Sequence, residues 1–413
     1  MPPSFRESIR ILPAPFWVLM GATFVTRFGV FVVPFLTWVM TKRGFSPLEA
    51  GWTVAAYSAG SFCASLVGGW VADRFGRNVT MAAAGLLGAV CMLLLSQAEQ
   101  LHWLVLLTLL AGFVGEAGGP ASVALVQDIV PPEHRLAAYA VQRFVVNLAW
   151  AFGPAVAGFV VERSIFWLFA GDAISSGIFG VVALFFLPRG KRSCRHTSGW
   201  SHALASIRVN RPFLVLFISC VAVAFMFRQT NTTFTLHFEK SGNPASVLGW
   251  VLAINGVMIC LMEMPLASYT RWMPVRNAIA VGYVGMALSF IVFLFGNSVT
   301  AFTVCMVIFT AGEMMAFSRQ QAYAASLSPE DMRGRYSGFL GLAWSIGNIT
   351  ASVGAMALYQ WSPNAVWVVT ATVGVLAALV LVRASVARNA GTATTSVDKA
   401  PKSPVQAEEA VPR

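Results

Sequence analysis

The chain has 413 residues, of which 57% are hydrophobic and only 11% charged, with a mean hydropathy of +0.69. A soluble domain carries about 25% charged residues, so this chain cannot clothe its surface for water and lipid is its expected solvent. The net charge of +11 would suit nucleic acid, but its placement along the chain points to membrane topology instead, and no nucleic-acid partner is expected.

A spanning helix needs about 20 mostly apolar residues. Twelve stretches qualify, at roughly 14–40, 47–72, 79–97, 101–127, 136–162, 164–187, 212–238, 246–270, 276–296, 299–325, 333–358 and 365–384. The first begins after Arg6, Arg10 and two prolines and is long enough to span, so no cleavable signal is expected. An even count puts both termini on one side. Twenty of the 28 Lys and Arg residues fall in the segments on that side, among them Arg74, Arg77, Arg135, Arg189, Arg271, Arg276 and Arg333. Only Lys42, Arg43, Arg163 and Lys240 fall opposite. Positive charge marks the cytoplasmic side; the expectation is a multi-pass inner-membrane protein with both termini in the cytoplasm. The fold class is therefore an all-α membrane protein of twelve transmembrane helices in two six-helix, pseudo-symmetric halves.

The halves are 1–187 and 212–388. Between them, 188–211 is a basic polar connector whose Arg189 to Arg195 stretch either sets topology or meets anionic headgroups. From 389 to 413 the composition turns to Thr, Ser, Pro, Lys and Glu without an apolar period, and disorder is expected. An internal repeat supports the division. Pro132-Glu133 through Tyr139 align ungapped with Pro329-Glu330 through Tyr336 at an offset that also carries Gly115-Glu116 onto Gly312-Glu313 and Arg74 onto Arg271. Gly51-Trp52 matches Gly249-Trp250 one residue further out.

Between helices 2 and 3 lies Gly69-Trp70-Val71-Ala72-Asp73-Arg74-Phe75-Gly76-Arg77. Its order of a small residue, an acid, then Arg, Gly and Arg resembles the G-x-x-x-D-R-x-G-R signature of the major facilitator superfamily of secondary transporters. In the second half the turn has decayed: Asp73 maps to Thr270 and Gly69 to Leu266. The resemblance implies two parallel six-helix repeats, and a cytoplasmic latch with helices 4 and 11. Gly69, Asp73, Arg74, Gly76 and Arg77, with Asp128 at the end of helix 4, are the gating residues it implies. Solvated topology charge is the alternative. Helix 5 carries Gly153, Pro154 and Gly158, which resemble the exporter signature G-x-x-x-G-P-x-x-G-G with alanine at 149 and 157; small-residue packing is the alternative. Within the superfamily, the likeness is to bacterial twelve-helix drug:proton antiporters. Many of these carry an arginine before the helix 4 proline, where this chain has Gly119.

Charges inside the membrane are costly, about 2.5–3.5 kcal/mol at a helix centre, and tend to face a cavity or a partner. Arg27 lies on helix 1, Glu116 on helix 4, Arg228 on helix 7, and Glu313 with Arg319 on helix 10. The resemblance places those helices around a central cavity. Arg143, Asp172 and Glu263 complete the set. From a rise of about 1.5 Å per residue, Arg27 matches Asp172 in depth, Glu116 matches Arg143, and Arg228 is the nearest cation to Glu313. A pair that opens on protonation couples; a permanent pair is structural. Glu116, Glu313 and Asp172 are the coupling candidates, with the structural reading favoured for Asp172.

Arg228-Gln229-Thr230-Asn231-Thr232-Thr233 coats every face of helix 7 with polar groups, which lipid does not tolerate. With Asn255, Trp150, Tyr323, Trp344, Arg27 and Arg143 it supplies the expected substrate surface, the weight resting on Arg228 and Asn231. No phosphate-cradling loop, nucleophile–base pair or metal-ligand spacing is found, so no cofactor, metal or enzymatic reaction is expected, and the six cysteines read as packing residues. The expected function is proton-driven efflux of small amphiphilic molecules by a monomer in contact with lipid, its partners being substrate and protons. Import of a polar solute through Arg27 and Arg228 is the alternative.

Overall fold

A computed structural model describes residues 5–30, 32–190, 200–329 and 332–396. Among them, twelve helices are long and apolar enough to cross a membrane. The first half comprises α1 (Ala14–Lys42), α2 (Pro47–Phe75), α3 (Arg77–Gln97), α4 (Leu101–Ile129), α5 (Ala137–Arg163) and α6 (Ile165–Phe186). The second comprises α7 (Arg211–Lys240), α8 (Ala245–Tyr269), α9 (Val275–Leu294), α10 (Val299–Leu327), α11 (Arg335–Trp361) and α12 (Pro363–Arg383). Their ends fall within about three residues of the hydropathy reading, the usual scatter of helix boundaries.

Local chemistry sets several of those ends. Ser46 caps α2 by accepting from Glu49 N while Glu49 returns a carboxylate to Ser46 N, with Pro47 at the first helical position. Asn210 caps α7, and Ser298 caps α10. Between α2 and α3 the chain turns on Gly76, whose φ of 105° and ψ of 150° suit glycine alone.

Two spans are not continuous. α1 is divided into Ala14–Gly29 and Val32–Lys42, and α7 into Arg211–Gln229 and Thr233–Lys240. The run of polar residues in α7 thus marks a break rather than one polar-coated helix. Lipid never meets it, because Gln229, Thr232 and Thr233 are fully buried by protein. α11 carries a π turn at Ala351–Ala355.

Two pairs of glycines related by the sequence repeat lie at helix crossings. An added methyl on Gly88 would lie 3.9 Å from Gly115 Cα, where α3 crosses α4; its repeat counterpart on Gly285 would lie 3.5 Å from Gly312 Cα, where α9 crosses α10. Across the interface, Gly51 of α2 sits against the Ser352 carbonyl of α11, and Gly249 of α8 against the Pro154 carbonyl of α5. Glycine permits backbone approach closer than any side chain would allow.

At the end opposite the chain termini the halves are tied together. Lys42 pairs with Glu239 at 3.0 Å, Thr37 Oγ1 donates to Asn231 O at 3.0 Å, and Ser246 N donates to Glu162 at 2.8 Å. The connector is more ordered than its composition suggests. Residues 191–199 lie outside the described set, but Trp200–Val209 is a helix that docks Ile207 against Phe213 and Tyr336, with Ser206 bonded to Tyr336. The last helix runs on to Ser396, into the stretch expected to be tail; 397–413 lie outside the described residues, as do Glu330 and Asp331 of the repeat.

Candidate functional site: two cavities and a charged turn

Two cavities lie along the intramembrane charges. The first, of about 260 Å³, is enclosed by the first half and lined by Arg27, Tyr57, Glu116 and Asp172. Arg27 meets Glu116 at 3.5 Å, and Tyr57 donates to the same carboxylate oxygen at 3.2 Å. Asp172 accepts from Ser176 at 3.3 Å and is 2% exposed. Of the two depth matches, Arg27 and Asp172 do line one cavity and act on each other electrostatically, whereas Glu116, matched in depth to Arg143, meets Arg27 instead. Rise along a helix gives neither the direction a side chain takes nor helix tilt, and an arginine reaches well beyond its own turn.

The second cavity, of about 380 Å³, lies between the halves. Arg228 and Glu313 are its charged residues; Asn147, Asn231, Asn255 and Asn348 supply amides, and Trp150, Phe227, Phe309 and Trp344 the aromatic wall. Arg228 Nη2 donates to Ser58 at 3.0 Å and Nε to Asn348 at 3.3 Å. Asn255 Nδ2 donates to Glu313 at 2.7 Å and to Thr310 at 3.1 Å. Among the described residues neither Arg228 nor Glu313 forms an ion pair, so the match expected between them in depth is not a contact. Trp150, Trp344, Asn231 and Asn255 line this cavity. Tyr323 does not: it lies under Arg276, whose guanidinium is 5.1 Å from the ring centre. Arg143 also leaves the cavity, pairing across the interface with Glu263, which Ser318 bonds as well.

The repeat makes the two carboxylates comparable. Glu116 and Glu313 are counterparts, and the register that matches Gly51 to Gly249 carries Tyr57 onto Asn255. Each carboxylate thus takes a hydrogen bond from the same place on α2 or α8. Only Glu116 adds an arginine. Tyr57 escaped the sequence reading because it looks like packing on an apolar helix, although the repeat register would have found it. Ser58 and Asn348 left no such signal.

At the terminal side, Arg77 pairs with Asp73 and, at 3.4 Å, with Asp128. The connector joins them: Arg77 N donates to Arg189 O at 2.9 Å, and Gly190, at φ 72°, is so close that a methyl there would lie 2.5 Å from Arg77 Cγ. Other members of the expected gating set stand apart. Arg74 lies over the Trp70 ring at 5.5 Å, and a methyl on Gly69 would meet nothing within 4 Å; Gly68 is the residue packed on α4, against Ala117. Asp73, Arg77 and Asp128 all lie on α2, α3 and α4, so their mutual pairs do not join the first six helices to the last six. In the decayed second copy, Thr270 accepts from Arg319 of α10. The helix 5 residues face two ways: Gly153 packs on Phe28 of α1, and Gly158 on Ala245 of α8.

Twelve such helices, two of them interrupted beside a charged cavity, make a multi-pass membrane protein. The sequence model of the Major Facilitator Superfamily matches residues 19–352 and 230–410, and the chain belongs to that superfamily. It is 27% identical over 375 residues to a Na(+), Li(+), K(+)/H(+) antiporter of Planococcus maritimus, covering 81% of this chain and 87% of that one. To the multidrug resistance protein MdtH of Aeromonas hydrophila it is 25% identical over 331 residues, covering 77% and 81%. In fold it resembles a peptide transporter POT solved with sulfate (TM-score 0.76, 16% identity, 90% and 94% covered). A mutant of the nucleoside transporter NupG is similarly close (TM-score 0.77, 14% identity, 89% and 99% covered).

Proposed function

We propose that this protein is a proton-coupled exporter of small amphiphilic molecules, working as a monomer in the inner membrane with both termini in the cytoplasm. The observation that carries the reading is the placement of Glu313. It sits in the central cavity beside an aromatic wall, bonded to a neutral amide rather than to a cation. Such a carboxyl can take up and release a proton without an ion pair having to form or break. Glu116, held by Arg27, has that added restraint. Glu313 is therefore the coupling group, and Glu116 with Asp172 the supporting charge cluster of the first half. Relatives named as a cation/proton antiporter and as multidrug resistance proteins support both proton coupling and export.

In this scheme the Asp73–Arg77–Asp128 cluster braces the cytoplasmic end of the first half, and the closed end is the outer one. Purified protein in liposomes with an imposed pH gradient should accumulate amphiphiles against their gradient and stop when a protonophore is added. Glu313→Gln should lose the coupled component, by about 10²-fold or more, while its protein level stays normal. Uptake that ignores the protonophore would remove proton coupling. The import reading has one observation in its favour, the uncompensated Arg228 in the same cavity.

A further inference from the structure

Arg228 and Glu313 present an unusual electrostatic arrangement. Two opposite charges face one cavity without touching, each held by neutral side chains: Ser58 and Asn348 for the cation, Asn255 for the anion. A buried charge is tolerated when paired or well bonded, and here the amides supply only part of what each ion can accept or donate. The guanidinium has five N–H donors, of which these two bonds use two. The groups that act electrostatically on Glu313 from neighbouring helices are Glu263 of α8 and Arg143 of α5, and these pair with each other. The cavity thus keeps one unneutralised site of each sign.

We infer that the transported molecules are zwitterionic amphiphiles, their anionic group taken by Arg228, their ammonium group by Glu313, and their apolar body laid against Trp150 and Trp344. The inference rests on the proton-exchange reading and supplies its logic. Direct competition between substrate and proton for one site is sufficient to give exchange. An ammonium group competes with the proton for the Glu313 carboxylate; an anion does not. A purely anionic ligand would be repelled by ionised Glu313 and bind best with the proton already on it, which is the sign of co-transport. A purely cationic ligand competes properly but leaves Arg228 uncompensated beside it. Only a ligand with both charges satisfies both side chains and still yields to a proton. Binding also gives Arg228 a better acceptor than Ser58. Since Ser58 lies on α2 and Arg228 on α7, an anionic group that draws off the guanidinium releases one hydrogen bond between the halves.

The test is equilibrium binding to the purified full-length protein, with no pH gradient, of ciprofloxacin (zwitterion), its methyl ester (cation) and its N-acetyl derivative (anion). The same three charge forms of a naphthyl-substituted amino acid are measured beside them. The zwitterions should bind at least about tenfold more tightly than either singly charged form. Arg228→Gln should erase the advantage over the methyl esters, and Arg228→Lys, which keeps the charge, should retain part of it. Glu313→Gln should erase the advantage over the N-acetyl forms, and mild acidification should weaken binding of the zwitterionic amino acid, whose own carboxylate stays ionised, to the unaltered protein but not to this variant. Cations or anions binding as tightly as the zwitterions on both scaffolds, or no zwitterion binding at all, would overturn the inference. Proton coupling fails separately. Zwitterion preference combined with transport that ignores a protonophore would remove only the exchange mechanism; proton-driven transport of cations without that preference would remove only the substrate class.

Discussion

Gly76 and Gly190 hold the turn between α2 and α3 together through backbone geometry that other residues resist. Gly76 has φ 105° and ψ 150°, and Gly190 has φ 72° with Arg77 and Asp128 packed where a methyl would go. Gly76→Ala should cost about 1–3 kcal/mol, seen as a lowered melting temperature of the detergent-solubilised protein. Gly69→Ala, beside open space, should leave it unchanged; equal effects would mean that the turn is not strained at Gly76. At this scale the sequence was a partial guide. Asp73, Arg77 and Asp128 meet because their spacing across a short turn and the end of a neighbouring helix leaves little choice. Glu116 meets Arg27 rather than Arg143, its match in depth, because depth is one coordinate of three. Helix rotation, which decides which face meets which, comes only from packing.

Helix pairs obey a simpler rule. α5 and α8 approach through Gly158, Gly249 and Gly256, and a methyl on Gly256 would lie 2.6 Å from Ala151 Cα. Gly256→Leu should force these helices apart, detaching Arg143 from Glu263 and lowering the melting temperature, an overpacking penalty of about 1–3 kcal/mol. An unchanged melting temperature would show that the interface has room to spare. The helices themselves were legible as twelve apolar stretches, because lipid requires their length and composition. Their interruptions were half legible. The polar run in α7 announced contact with protein or water, but a break and a continuous helix share that composition. In α1, Gly29 lies against Ser175 of α6, a contact with no mark in the sequence.

For the whole molecule, the internal repeat carries Gly88 and Gly115 onto Gly285 and Gly312, and each pair marks a helix crossing. The closed end could not be read from sequence, since under the proposed alternating access one sequence serves both states. That end, opposite the chain termini, is made by the short second pieces of α1 and α7, Val32–Lys42 and Thr233–Lys240, joined by Lys42 and Glu239. From Val32 to Met40, every residue but Val33 is buried, as is every residue from Thr233 to Phe238. Both pieces are attached at breaks and almost wholly screened from lipid by other helices. Opening by a swing of these two pieces would leave the outer wall of the protein, and its match to the bilayer, nearly as it was. Tilting six helices as a block would not. Transport should then vary by less than about threefold across phosphatidylcholine vesicles from thin to thick acyl chains, whereas a sharp thickness optimum would show that whole halves tilt. A carrier with its moving parts inside its own wall can serve membranes of differing thickness without retuning.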